Sequence, residues 1–146
     1  LLFSLKSLVE KLSPDGSSDA AQAILTTDLK TKEIAFQADL GGRKVRLGGI
    51  AKGSGMIHPN MSTMLGYISC DAGVPIGLWK PMVQRIVDVS FNAISVDGDT
   101  STNDSLIAFS SGKYLDSQYL HILEAGLISC FSLNYHLIMI KYKYCI

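Results

Sequence analysis

The sequence lacks an excess of charge of either sign, because 13 lysines and arginines balance 13 aspartates and glutamates. No basic excess predicts nucleic-acid binding, and no acidic tail is present. The apolar stretch of residues 125–140 contains Asn134 and His136, so it falls short of the roughly 18 clean apolar residues expected of a membrane-spanning helix. We therefore expect neither a nucleic-acid partner nor a membrane partner.

Cysteine is also scarce. Cys70, Cys130 and Cys145 are odd in number and lack the spacing of a metal site, which predicts free thiols, a reducing compartment and no metal. A hydrophobic content of 47% with 18% charged residues is typical of a globular domain, and 146 residues suffice for one core. The sequence begins with Leu rather than Met, from which we expect a piece of a longer product.

The hydrophobic periodicity predicts a mixture of helices and strands. The predicted elements are a helix over 1–12, a strand over 23–27, a hairpin of 33–39 and 43–47 around Gly41-Gly42, a loop over 48–60, a strand over 63–69, a helix over 76–94 and a strand over 106–109. Pro81 fits its helix only in the first turn. Hairpin strands followed by mixed strands and helices favour an α+β architecture.

The glycine-rich segment 48–65 is the most informative part of the chain. It carries a single lysine, Lys52, and leads through Ser62 and Thr63 into an apolar, strand-like run. Cutting the bond between Ser62 and Thr63 would give Thr63 a hydroxyl nucleophile and, as its base, an α-amine whose pKa is about 7.7–8.0. Taken alone, however, a threonine beside a methionine is far more often an ordinary strand residue.

Three blocks carry a resemblance to a known family. Residues 52–65 match the signature Lys-Gly-(Ser/Ala)-Gly-Met-Ile-x-Pro-Asn-Met-Ala-Thr-Met-Leu almost throughout, residues 91–104 resemble a second long signature, and residues 23–28 lie at the expected place upstream. Through these blocks, the chain from about residue 18 to 112 resembles the ornithine acetyltransferase family. Its members are glutamate N-acetyltransferases and amino-acid N-acetyltransferases of arginine biosynthesis.

The resemblance implies a layered α-β-β-α sandwich of the self-processing nucleophile type, with two central sheets and helices outside, incomplete in this chain. We assign residues 1–112 to a partial domain of this kind, with the processing site between residues 62 and 63. Residues 113–146 do not resemble the continuation of the family. We predict an atypical tail there, from a truncated gene model, a frameshift or read-through of a non-coding segment, with a divergent helix as the alternative.

The resemblance also implies the reaction. The chain would cut itself before Thr63 into two fragments that stay associated, in a heterotetramer in the full protein. Thr63 would then take acetyl from N-acetylornithine and pass it to glutamate through an acyl-threonine, with no cofactor. A bifunctional member would use acetyl-CoA as a second donor. Ser62 stands where the family has Ala, and both are small.

Two further residues are implied as substrate contacts, Lys52 and Thr26. The Lys52 ammonium would pair with a substrate carboxylate, whereas the alternative is a solvated surface lysine. For Thr26, the alternative is a buried strand residue bonded to the backbone. The oxyanion-hole donors and an acidic substrate contact of the family fall outside this sequence, so we expect this chain alone to be inactive.

Other interpretations of the motifs are weaker. Residues 97–104 place oxygens at alternate positions, but Thr102 stands where a calcium loop needs glycine and Ala108 where it needs a bidentate glutamate. We interpret them as a structural loop near the active site. Residues 48–55 lack the residue order of a phosphate-binding loop. His58 is a weak candidate acid or base, and we interpret it as a loop residue.

Two rival functions stay open. One is a self-processing, aminopeptidase-like hydrolase with an N-terminal nucleophile, which would release amino acids from peptides. The other is an inactive, truncated product. The expected compartment is the cytoplasm for a bacterial source and the plastid stroma for a plant or algal one.

Overall fold

A computed structural model describes residues 2–26, 28–53, 64–93, 103–111 and 113–140, with side chains between residues 4 and 132 of these ranges. The helices are α1 (Leu2–Glu10), α2 (Ser17–Ala23), α3 (Ile76–Asp88) and α4 (Leu120–Ile140). The strands are β1 (Lys32–Asp39), β2 (Lys44–Lys52), β3 (Leu65–Cys70) and β4 (Ser105–Ser110). This mixture confirms the predicted α+β class.

The first two strands form the predicted hairpin. Gly41 and Gly42 adopt φ angles of 68° and 81°, a left-handed conformation that glycine adopts without steric cost. The Gly42 amide donates a 2.7 Å hydrogen bond to Asp39 Oδ1. Strand β2 then continues to Lys52, so the predicted loop over 48–60 is wrong for its first five residues.

The four strands form one sheet in chain order. Strand β2 pairs with β1 and β3 in antiparallel register, and β3 pairs with β4 in parallel register. Leu65 is the partner of both Lys52 and Ser105. The end of β2 and the starts of β3 and β4 therefore meet at one edge of the sheet.

Helices α3 and α4 pack on one face of this sheet around a continuous apolar core. The largest fully buried side chains include Met64, Ile86, Phe91, Leu123, Leu127 and Phe131. The rings of Phe91 and Phe131 meet edge to face with centroids 5.1 Å apart, a preferred aromatic geometry. Residues of the segment predicted to be an atypical tail thus contribute to the same core as the sheet.

The opposite sheet face is only partly covered within the described residues. Helix α2 lies over the side of the sheet formed by β1, where Ser18 Oγ donates to the Glu33 carboxylate. Beside it lies a shallow depression of about 490 Å³. Ile107 and Phe109 are 44% and 56% exposed. An apolar face with this exposure fits one layer of a sandwich with two central sheets.

Two predicted elements are corrected. Residues 23–27 were expected to form a strand, but Ala23 ends α2 and residues 24–26 are irregular, because the apolar run is too short to outweigh the helix before it. The helix predicted over 76–94 ends at Asp88 and contains Pro81 beyond its first turn. The bond that Pro81 cannot make would go to the carbonyl of exposed Gly77, which water can reach.

None of the described helices is long and apolar enough to cross a membrane.

Candidate functional site

Thr26 and Lys52, the two residues implied as substrate contacts, lie together. Lys52 is the last residue of β2, and its Nζ donates a 3.2 Å hydrogen bond to Oγ1 of Thr26. Thr26 lies in the irregular segment after α2. Because that segment leaves the helix instead of joining the sheet, it brings the hydroxyl to the end of β2.

Burial distinguishes Lys52 from an ordinary lysine. Lys52 is 7% exposed, and among the described lysines only Lys32, at 4%, is buried to a similar extent. Lys32 forms an ion pair with Asp28. Among the described residues, the ion pairs do not include Lys52, although a buried ammonium is unfavourable without a counter-charge. The alternative of a solvated surface lysine is therefore wrong for Lys52. The alternative of a buried strand residue is wrong for Thr26, because Thr26 is exposed and lies outside the sheet.

Asp28 organises the main chain next to Lys52. Its Oδ1 accepts a 2.9 Å hydrogen bond from the Gly53 amide and another from Lys32 Nζ. Burial raises the pKa of Asp28, but the hydrogen bonds from Lys32 and Gly53 outweigh burial, and the net pKa lies below the usual value. Its Oδ2 is buried and has no partner among the described residues. Asp28 was not predicted as a site residue, although it ends the block 23–28.

Asp104, directly before β4, also binds a main-chain amide through its carboxylate. Its Oδ1 accepts a 2.5 Å hydrogen bond from the Met64 amide, and its Oδ2 is buried without a partner among the described residues. Asp104 also lines a cleft of about 390 Å³ beside α3. Burial raises the pKa of Asp104, while the Met64 amide and the charge of Lys52 partly offset that rise. From the sequence, Asp104 was expected in a structural loop, and its contact with Met64 was not predicted.

The predicted nucleophile and cleavage position, Thr63 and Ser62, lie outside the described residues, as does His58. Met64, which directly follows Thr63, is 1% exposed. Among the residues that the structure describes, no three His, Cys, Asp or Glu side chains are grouped so that they could hold a metal ion. The described site therefore consists of a buried ammonium, a hydroxyl and two carboxylates at one sheet edge.

This arrangement suits recognition of an anionic small molecule. Lys52 offers a buried ammonium. A charge-assisted hydrogen bond made there is stronger than the same bond in water. Thr26 offers a hydroxyl that can donate or accept. A ligand carboxylate that joined them would form a contact ion pair with Lys52, which none of the described ion pairs includes.

Comparisons with known proteins agree on one family. The model of the ArgJ family matches residues 2–136, and thus continues past residue 112. The arginine biosynthesis bifunctional protein ArgJ of Prochlorococcus marinus strain MIT 9313 is 61% identical over 128 residues, covering 88% of this chain and 30% of that protein. That of strain SARG is 64% identical over 127 residues, covering 87% and 31%. The chain therefore spans about 30% of the length of these relatives.

A solved structure shows the same fold. It is an L-aminopeptidase D-Ala-esterase/amidase from Ochrobactrum anthropi, described as a new variant among the Ntn hydrolase fold. The likeness has a TM-score of 0.54 at 13% identity and covers 75% of this chain and 39% of that one. The fold expected of a self-processing nucleophile protein is thereby confirmed.

Proposed function

The chain belongs to the ArgJ family, and from this premise we propose that it is the nucleophile-bearing part of a glutamate N-acetyltransferase. In this proposal Thr63 is the nucleophile, while Lys52 and Thr26 bind the substrate carboxylate. The observation that carries the proposal is the buried Lys52 ammonium, 3.2 Å from Thr26 Oγ1 and without an ion pair among the described residues.

The register of the sheet supports a shared site. Lys52 is paired with Leu65, and strand neighbours lie about 5 Å apart. Two residues of chain span at most about 7 Å, which limits the distance from Leu65 to Thr63. A lysine side chain and a small amino acid can bridge a separation of that size. An amino-acid substrate held by its carboxylate at Lys52 can thus present its acyl group to Thr63.

The first step is self-cleavage. The Thr63 hydroxyl oxygen attacks the carbonyl carbon of Ser62, the carbon–nitrogen bond to Thr63 breaks, and the hydroxyl proton ends on the new α-amine. Water then hydrolyses the ester, which returns the hydrogen to the hydroxyl and leaves Ser62 with a carboxylate. The free α-amine has a pKa of about 7.7–8.0 and can act as the base of the nucleophile near neutral pH.

The second step is a two-stage acetyl transfer. The Thr63 oxygen attacks the acetyl carbonyl of N-acetylornithine, and ornithine leaves with the proton that the α-amine had taken. The amine of glutamate then attacks the acetyl-threonine ester and regenerates the hydroxyl. No cofactor enters this exchange. In a bifunctional protein, acetyl-CoA is a second acetyl donor to the same threonine.

The proposal extends to assembly and compartment. The fragments on either side of the cut stay associated, and in the full protein they form a heterotetramer. The half-exposed sheet face supports further layers of protein, because Ile107 and Phe109 are apolar and accessible. With cyanobacterial relatives, we place the protein in the cytoplasm of a bacterium or the stroma of a plastid.

The test uses a chimera because the chain spans only part of its relatives. Residues 2–136 replace the matching segment of the Prochlorococcus marinus protein, and the unaltered relative is assayed in parallel. We expect the chimera to move acetyl from N-acetylornithine to glutamate, and Thr63→Ala to abolish the transfer. With N-acetylornithine alone, one acetyl group should accumulate on the fragment that begins with Thr63.

The same assay separates the rival functions. An aminopeptidase-like hydrolase would release amino acids from peptides and leave N-acetylornithine untouched. An inactive product would leave both substrates unchanged while the relative turns over. Either result in the chimera would contradict the proposed transfer.

A further inference from the structure

The residues directly before and after the segment 54–63 each donate a main-chain hydrogen bond to an aspartate. Gly53, immediately before it, donates its amide to Asp28 Oδ1 over 2.9 Å. Met64, immediately after it, donates its amide to Asp104 Oδ1 over 2.5 Å. This segment contains the predicted cleavage site between Ser62 and Thr63. The two contacts therefore hold the residues that directly precede and follow this segment.

The Asp28 contact is fixed by its own surroundings. Lys32, 4% exposed, pairs with the same Oδ1 that accepts from Gly53. The hydrogen bonds also lower the pKa of Asp28 below its usual value despite burial, which keeps the carboxylate ionised as an acceptor. Both the carboxylate and its counter-ion are thus held away from solvent, next to the end of β2.

The Asp104 contact holds Met64 from two directions. Asp104 accepts from the Met64 amide, and the Ser105 amide donates to the Met64 carbonyl oxygen over 3.0 Å. Both polar groups of the Met64 main chain are therefore bonded to consecutive residues at the start of β4. The side chain of Met64 lies in the core at 1% exposure.

We propose that Asp28 and Asp104 are positioning residues that anchor the main chain before and after the segment 54–63, with Asp104 holding Met64 next to the nucleophile. The inference rests on the proposed function of Thr63. After cleavage, Thr63 becomes a chain terminus attached to Met64, and the Asp104 contact keeps that terminus in place.

The two anchors differ in distance from the chemistry. Met64 is bonded directly to Thr63, whereas Gly53 lies nine residues before Ser62. Misplacing a reacting group by about 1 Å can cost about 100-fold in rate. Loss of the Asp104 anchor should therefore slow acetyl transfer by about 100-fold, and loss of the Asp28 anchor should slow it less.

Amide hydrogen exchange in the chain tests the contacts without any need for activity. In Asp104→Ala we expect faster exchange at Met64 with Gly53 unchanged, and in Asp28→Ala the reverse. Asp104→Asn retains an acceptor oxygen and should restore most of the protection at Met64. If Asp104→Ala exchanges at Met64 as slowly as the parent chain, the anchor does not exist in solution and the proposal is overturned.

Kinetics in the chimera test the positioning role. Asp104→Ala should lower kcat with little change in KM, because Asp104 acts through Met64 and touches no substrate, and Asp104→Asn should recover part of kcat. Asp116→Ala, an exposed carboxylate beyond β4, is the matched control and should behave as the parent. Equal kcat in Asp104→Ala and the parent, or no recovery in Asp104→Asn, would overturn the role.

These outcomes are distinguishable from failure of the proposed function. If the unsubstituted chimera neither cleaves nor transfers acetyl while the relative does both, the function assigned to Thr63 fails. The exchange measurement still decides whether Asp28 and Asp104 hold Gly53 and Met64.

Discussion

The ammonium of Lys52 lies 3.2 Å from the hydroxyl oxygen of Thr26, across 26 residues of sequence. Lys52 ends a central strand, and Thr26 belongs to an irregular segment that follows a short helix. The contact is the only described hydrogen bond of the Lys52 side chain. A lysine buried in this way favours an anionic ligand, since it acts on Asp104 only through its charge and belongs to none of the described ion pairs.

The first prediction concerns this ammonium. In the chimera, Lys52→Met should raise KM for N-acetylornithine about 10- to 150-fold, because a hydrogen bond to a charged group contributes about 1.5–3 kcal/mol. Kcat should change little if the contact is equally strong in the ground and transition states. Lys44→Met, an exposed lysine at the other end of β2, is the control. An unchanged KM in Lys52→Met would remove the carboxylate-binding role.

The second prediction concerns α4. Phe131→Ala should lower the free energy of unfolding by about 3–5 kcal/mol, because truncating a buried phenylalanine leaves a cavity. Phe131 is 0% exposed and meets Phe91 edge to face. Ile122→Ala, on the same helix but 43% exposed, should change stability by about 0.5 kcal/mol or less. Urea unfolding measures both, and equal effects would show that α4 is not docked in solution.

The third prediction concerns how the free energy of unfolding depends on pH. The hydrogen bonds from Lys32 and Gly53 outweigh burial, so the pKa of Asp28 is lower in the folded than in the unfolded chain. Its stabilising contribution is present above the unfolded value, about 3.9, and is lost as pH falls through the folded value. Burial raises the pKa of Asp104, so its contribution has the opposite sign and is lost as pH rises through the folded value.

Two variants separate these contributions. Urea unfolding from about pH 3 to pH 6, around the usual aspartate pKa, should show less acid sensitivity in Asp28→Asn than in the parent. Asp104→Asn should gain stability relative to the parent as pH rises over the same range. Parallel curves for all three proteins would contradict both assignments.

The fourth prediction concerns the hairpin turn. Gly41 and Gly42 both have left-handed φ angles, 68° and 81°, so alanine at either should cost about 1–2 kcal/mol. A Cβ on Gly41 would also lie 2.0 Å from the Tyr119 hydroxyl oxygen, whereas one on Gly42 meets nothing within 4 Å. Gly41→Ala should therefore destabilise more than Gly42→Ala in thermal or urea unfolding. Equal losses would mean that Tyr119 does not approach the turn.

Local chemistry made part of the fold predictable. The pair Gly41-Gly42 between alternating segments indicated a hairpin, and the hairpin is there. The same logic failed at Gly48 and Gly49, which were interpreted as loop but lie inside β2, paired with Ser69 and Ile68 of β3. Glycine in a strand interior is stabilised by tertiary pairing, which no short-range pattern reveals.

The site was predictable only in part for a similar reason. Lys52 and Thr26 were found through a family signature, and the structure then brought them into contact. Asp28 and Asp104 were missed because their partners are main-chain amides at distant positions, 25 and 40 residues away. An aspartate that accepts from a remote amide has no sequence pattern of its own, since the fold alone brings the two groups together.

Intact mass spectrometry of the purified chimera, beside its Thr63→Ala variant and the unaltered Prochlorococcus marinus protein, tests the central claim most directly. We expect two fragments from the chimera, divided between Ser62 and Thr63, and one uncut chain from the variant. A single uncut chimera beside a cleaved relative would contradict the assignment of Thr63 as the nucleophile of this chain.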